Sequence, residues 1–280
     1  MALADFLRAI KELIFELDEL PDNRDVRYSW LKRLYPELTV EELRDLSTIQ
    51  KTKLNIYRRS IISIEASIIK HRLVKSLAFL KGNWQSVYKT QLKLEEEILA
   101  AQRKFCWQGY LTVELFKSFK DYLLSERREI FQSFPNLEAL IDYEVILYQL
   151  KRAPDCKEDL VSQEELSKIK IEDLFQRKII IPVAGRLFKS QYQLSELHLA
   201  NTQKCEITSY WIFRSNDYQI LQLAITQQLA ESMIESQDNP TTFDKFLERA
   251  AAKKREQDHN QLLREILAIA LHGGVGFSKF

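Results

Sequence analysis

Glu206-Ile-Thr-Ser-Tyr-Trp-Ile-Phe-Arg-Ser-Asn-Asp-Tyr-Gln-Ile-Leu-Gln-Leu223 decides the fold. Glu206–Phe213 and Tyr218–Leu223 read as two strands, rich in β-branched and aromatic residues. Ser215-Asn216-Asp217 between them supplies turn chemistry. In the first strand Ser209, Trp211 and Phe213 share one face, and Thr208, Tyr210, Ile212 and Arg214 the other. In the second, Asp217, Gln219, Leu221 and Leu223 alternate with Tyr218, Ile220 and Gln222.

Three helical patterns follow the hairpin. Ile225, Leu229 and Met233 mark the first. Asn239-Pro240-Thr241 ends it and opens a second, with Phe243, Phe246, Leu247 and Ala250 at helical spacing. The third carries Leu262, Leu263, Ile266, Leu267 and Ala270 and stops at Gly273-Gly274. Strands first and a helical trio after describe a winged-helix-like module over 206–280. Such modules bind nucleic acid or take up a peptide as an extra strand.

Upstream, 1–152 reads as a helical bundle. Leu3, Phe6, Leu7, Ile10, Ile14 and Leu17 recur at helical spacing until Pro21. Thr39-Val-Glu-Glu42 is a capping box, and an apolar stripe runs on from Leu43 to Ile68. Gly82-Asn83 is expected to stop it. A further helix carries Tyr88, Leu92, Ile98 and Leu99, and Thr112 is expected to cap the next. Pro135-Asn136 resets the chain before Leu137, Leu140, Ile141, Val145 and Tyr148. Tyr28, Trp30, Leu31, Leu34 and Tyr35 form an aromatic connection without a readable period.

Residues 153–205 read as a linker. They include a short helix behind a second capping box, Ser162-Gln-Glu-Glu165, and a strand at Lys178–Val183 that Pro182 confines to an edge or a bend. The fold class is therefore mainly α with a small β-sheet: an N-terminal helical bundle plus a C-terminal winged-helix-like peptide-recognition module.

Composition narrows the function. The 280 residues carry 41 Lys and Arg against 40 Asp and Glu, a net charge of +1. Duplex affinity comes largely from neutralising phosphates, so this balance counts against DNA. Cys106, Cys156 and Cys205 have neither metal nor disulfide spacing. His71, His198, His259 and His272 form no ligand pair. No base stands near a cysteine in sequence to activate it, and Cys106 between Phe105 and Trp107 is expected to be buried. Glu95-Glu-Glu97 and Asp142/Glu144 read as solvated helix faces. The first residues are acidic and amphipathic, unlike a signal peptide, and no apolar run is long enough for a transmembrane helix. A cytoplasmic protein is the expectation.

Leu54-Asn-Ile-Tyr-Arg-Arg59, Phe134-Pro-Asn-Leu137, Tyr210-Trp-Ile-Phe-Arg214 and Gly273-Gly-Val-Gly-Phe277 follow one another in an order that resembles a family of partner subunits. These are encoded beside multinuclear non-haem iron enzymes that modify ribosomal peptides, as in methanobactin and 3-thiaglutamate biosynthesis. The succession is also similar to a wider bacterial family labelled DNA-binding. The resemblance implies a non-catalytic subunit of a heterodimer that binds no cofactor itself. The iron would sit in a barrel-fold partner acting on a cysteine of the ribosomal precursor peptide. The chemistry would be carbon excision in one branch, or oxazolone and thioamide formation in the other.

Strand addition gives such capture a mechanism, because a sheet edge presents unpaired N–H and C=O groups. The groove is expected between an edge strand and the last helix, lined by Tyr218, Ile220 and Gln222 on the strand and Leu263, Ile266 and Leu267 on the helix. The alternative is a winged-helix DNA-binding regulator whose recognition helix, Thr242–Lys254, presents Lys245, Arg249, Lys253 and Lys254 beside Asp244 and Glu248.

Overall fold

The computed structural model describes residues 2–15, 20–105, 113–155, 160–215, 217–237, 239–252 and 259–279. The fold is mainly helical, with two small three-stranded antiparallel sheets among the described residues. Two compact units divide at Gln132/Ser133.

The first unit contains α1 (Ala2–Phe15), α2 (Arg24–Leu34), α3 (Val40–Thr48), α4 (Lys51–Arg72), α5 (Val74–Tyr88), α6 (Leu94–Phe105), α7 (Val113–Glu126) and most of α8 (Arg128–Ser133). The Thr39 capping box forms as expected: Glu42 N–H donates to Thr39 Oγ1 while the Thr39 N–H donates to the Glu42 carboxylate. The aromatic connection is helix α2, opened by Asn23, whose side chain accepts from Asp25 N–H and Val26 N–H. Buried Arg27 holds it in place, donating to the carbonyls of Pro21, Ser47 and Ile49. Leu13, Leu31, Leu43, Leu46 and Leu54 gather α1–α4 into one apolar cluster.

The expected stop at Gly82 does not occur, and α5 continues to Tyr88. Leu77, Leu80 and Trp84 are all buried on that helix, so packing outweighs the roughly 1 kcal/mol that a mid-helix glycine costs. The break lies earlier, at non-helical Leu73 between α4 and α5, which sinks its own side chain into the core.

Glu97 departs from the solvated-face reading. It is buried on α6, accepts two bonds from the Arg127 guanidinium at 2.9 and 3.0 Å, and takes a third from the Tyr122 hydroxyl at 2.8 Å.

The second unit begins with α9 (Asn136–Arg152), which the sequence assigned to the bundle. Next come α10 (Gln163–Leu166), α11 (Ile171–Phe175), β1 (Lys178–Ile180), β2 (Gly185–Ser190), β3 (Thr208–Arg214) and β4 (Ile220–Ile225). α12 (Gln227–Gln237), β5 (Thr241–Thr242), α13 (Phe243–Ala252), α14 (His259–Leu271) and β6 (Gly276–Phe277) complete it. The Ser162 capping box at α10 forms as expected.

The stretch 153–205 contributes more than a linker. β1 is the centre of a sheet ordered β5-β1-β6, not an edge, and Pro182 takes the other expected place, in the bend after it, where the Gly185 N–H bonds the Pro182 carbonyl. Strand β2 joins the expected hairpin to give the second sheet, β2-β3-β4.

That sheet is apolar on both faces, which is why α9 belongs here. Trp211 and Phe213 face α12–α14, and Ile212 and Phe188 face the other way; all four are buried. α9 covers the second face, with Tyr143 5.8 Å from Phe188 and Asn136 donating to the Leu197 and Leu199 carbonyls. Glu144, expected on a solvated face, is buried on α9.

The end of α14 is fixed tightly. Gly273 takes φ 76°, Gly273 N–H bonds the Ala270 carbonyl and Gly274 N–H the Ile269 carbonyl, a Schellman closure. Trp211 Nε1 donates to the Gly274 carbonyl at 3.0 Å, anchoring that closure to β3.

Thr112, Cys106, Cys156 and the basic run from Lys253 lie outside the described residues.

Candidate functional site: the outer rim of strand β4

β4 ends the order β2-β3-β4, and no strand among the described residues pairs with its outer side. Two hydrogen bonds fix which backbone groups face outward. Ser215 N–H bonds the Gln219 carbonyl, one step beyond the pair Arg214↔Ile220. Antiparallel ladders alternate, so Leu221, Leu223 and Ile225 spend their N–H and C=O groups on β3. Ile220, Gln222 and Ala224 then direct theirs to the open rim. The other side of β3 agrees, since Arg214 N–H bonds the Ala184 carbonyl and puts the even-numbered β3 residues in register with β2.

The opposite rim, on β2, is partly used by the chain's own side chains. Gly185 C=O accepts from Arg186 Nη1 at 2.7 Å and from Gln237 Nε2 at 3.4 Å.

Side-chain parity corrects the expected groove. Leu221 and Leu223 pair with Phe213 and Trp211, so they share the face that meets α14. Both are partly buried against the same core cluster that Leu263 and Leu267 border. Ile220 and Gln222 lie on the α9 face, where the Tyr143 hydroxyl donates to Gln222 Oε1 at 2.8 Å. Their backbones serve the rim while their side chains point away from α14.

Tyr218 lies outside the strand, in the turn, with φ 62°. Its ring stacks under the Arg214 guanidinium at 5.2 Å, and its hydroxyl donates to Asp155 at 3.2 Å. Arg214 also pairs with Asp155 at 2.6 Å, so this cluster braces the hairpin end. Ile266 is fully buried and belongs to the core. Leu221 and Leu223 on the strand, and Leu263 and Leu267 on the helix, are each partly buried against that one cluster. Alternation puts Leu221 and Leu223 on one face of their strand, and only the pairing with Phe213 and Trp211 identifies that face.

α14 runs antiparallel to β4. At one end Thr226 N–H and Oγ1 donate to Glu265, and at the other Leu271 and His272 share a pocket with Leu221. Leu263, Leu267 and Leu271, spaced by four, share one face of the helix.

The expected recognition helix offers no basic face among its described residues, because exposed Asp244 and Glu248 alternate with exposed Lys245 and Arg249. His71, His198, His272 and Cys205 are exposed singly. No group of three or more His, Cys, Asp or Glu among the described residues is placed to hold a metal ion. No helix among the described residues is long and apolar enough to cross a membrane.

No protein-family model matches the chain, and no curated protein matches it significantly.

Proposed function

We propose that this protein is a peptide-recognition subunit that takes up an extended segment of a ribosomal precursor peptide as a fourth strand beside β4. The observation that carries the reading is the outward backbone of Ile220, Gln222 and Ala224, which alternate along β4 with the half-buried apolar Leu221 and Leu223. The rim supplies backbone hydrogen bonds and the face of Leu221 and Leu223 takes alternate side chains. Burying two such apolar side chains offers about 3–6 kcal/mol, which must outweigh the ordering of a flexible peptide.

The resemblance carried by Leu54–Arg59, Phe134–Leu137, Tyr210–Arg214 and Gly273–Phe277 extends the proposal. The captured peptide would present a cysteine to a barrel-fold multinuclear iron enzyme that forms a heterodimer with this chain and performs the chemistry. A contact surface for such a partner is available on α4, where Tyr57, Ile61, Ile64 and Ile68 share one arc of the helix, with Tyr57 63% and Ile64 52% exposed. Co-expression with a barrel enzyme of that class, followed by size-exclusion chromatography, tests the pairing. A stable complex at micromolar concentration is expected, and separate elution overturns it.

A further inference from the structure

At its first residues β4 borders a pocket, which Leu221 enters from the strand. The pocket lies at the hairpin end, holds about 470 Å³ and is lined by Gln163, Asp217, Gln219, Leu221, Leu271 and His272, together with Ser215. Asp217 is the one carboxylate and His272 the one imidazole among these residues, and none of the described lining residues is Lys or Arg. The Ser215 hydroxyl donates to that carboxylate, and the bond holds the Asp217 carboxyl below its ordinary range. Leu271 and His272 bring the carbonyl end of α14, where the helix dipole is negative. Gln163 Nε2 donates to the Leu271 carbonyl at 2.8 Å, so one wall is held in place by its own bond. The pocket thus sets the Asp217 carboxylate and the carbonyl end of α14 beside the half-buried Leu221.

The ladder phase converts this into a sequence rule. An added antiparallel strand bonds to Ile220, Gln222 and Ala224, and its intervening residues lie opposite Leu223, Leu221 and Gln219. Those intervening side chains all point to the α14 face. The residue opposite Leu223 comes first in the incoming chain, the one opposite Leu221 two later, and the one opposite Gln219 two later again.

We propose that this site selects an antiparallel peptide with apolar side chains at two alternate positions, followed two residues on by a lysine or arginine that enters the Asp217 pocket. The inference rests on strand capture at β4 and adds the direction, spacing and charge of the occupant.

Selection of a random-peptide display library on the full chain, with anisotropy measured on the recovered peptides, tests it. Binders are expected to share the order apolar-x-apolar-x-basic and to lose affinity for the Ile220→Pro protein. Replacing their basic residue by Glu should weaken binding by about tenfold or more, from like-charge opposition to Asp217. Asp217→Lys should then restore the Glu peptide and reject the original, with circular dichroism confirming that the variant is folded. Binders that need Ile220 but tolerate Glu, Ala or Lys equally overturn the basic pocket and leave strand capture standing. Binders with the basic residue first overturn the antiparallel direction. A library with no binder sensitive to Ile220→Pro overturns capture at β4 itself.

Discussion

Gly185 on β2 lies directly beneath the indole of Trp211 on β3, and a Cβ at Gly185 would overlap the ring. Trp211 is fully buried and its Nε1 is committed to the Gly274 carbonyl, so the ring has no free direction in which to retreat. Gly185→Ala should therefore destabilise the second unit by about 1–3 kcal/mol, the usual range for overpacking. A urea denaturation midpoint equal to that of the parent would contradict this close approach.

Gly82 presents the opposite case. It sits inside α5, and a Cβ there meets nothing within 4 Å. Gly82→Ala should raise stability by about 0.5–1 kcal/mol through helix propensity alone. A loss of stability would mean that Gly82 ends a helix, as the sequence suggests, rather than continuing one.

The Glu97–Arg127–Tyr122 cluster should behave as a partly buried ion pair, with Glu97 buried and Arg127 reaching solvent. Glu97→Gln removes the charge that binds both Arg127 and Tyr122, while Arg127 keeps access to water, so it should cost the first unit about 1–3 kcal/mol. A double-mutant cycle between Glu97→Gln and Arg127→Met checks this. Additive effects would show the two side chains to be energetically independent.

The same cluster makes alkaline stability depend on two tyrosines. Burial pushes the Tyr88 hydroxyl up to about 12. Burial first, and then its bond to Glu97, pushes Tyr122 up as well. The fold favours both protonated phenols. Their contribution is therefore complete below the unfolded tyrosine value of about 10 and is lost as pH rises from there through the folded values. Denaturation midpoints should fall across that window, with the phenolate absorbance of these two residues appearing after that of exposed tyrosines. Glu97→Gln should shrink the part of this dependence that comes from Tyr122, and an unchanged profile would contradict the assignment.

Much of the architecture was legible, for identifiable reasons. Capping boxes at Thr39 and Ser162, the hairpin around Ser215–Asp217 and the stop at Gly273 are local chemistry, and each forms where the residues indicate. What the sequence misplaced depends on tertiary contacts. Ile212 is as apolar as Trp211 and Phe213, so alternation alone does not say which face of the sheet meets α14. The groove assignment consequently fell on Ile220 and Gln222 rather than Leu221 and Leu223. Helix α9 carries an ordinary amphipathic stripe, and only the second apolar face of the sheet, Phe188 with Ile212, explains its place in the second unit. Glu97 looks like its neighbours Glu95 and Glu96 until Arg127, thirty residues on, is brought to it.

Amide hydrogen exchange at single-residue resolution, on the chain saturated with a peptide recovered by selection, tests strand capture most directly. Without peptide, the amides of Leu221 and Leu223 should already be protected by β3, and those of Ile220, Gln222 and Ala224 should exchange freely. With peptide, those three should slow together while their odd-numbered neighbours change little. Equal exchange at Ile220, Gln222 and Ala224 with and without saturating peptide would contradict capture at this rim.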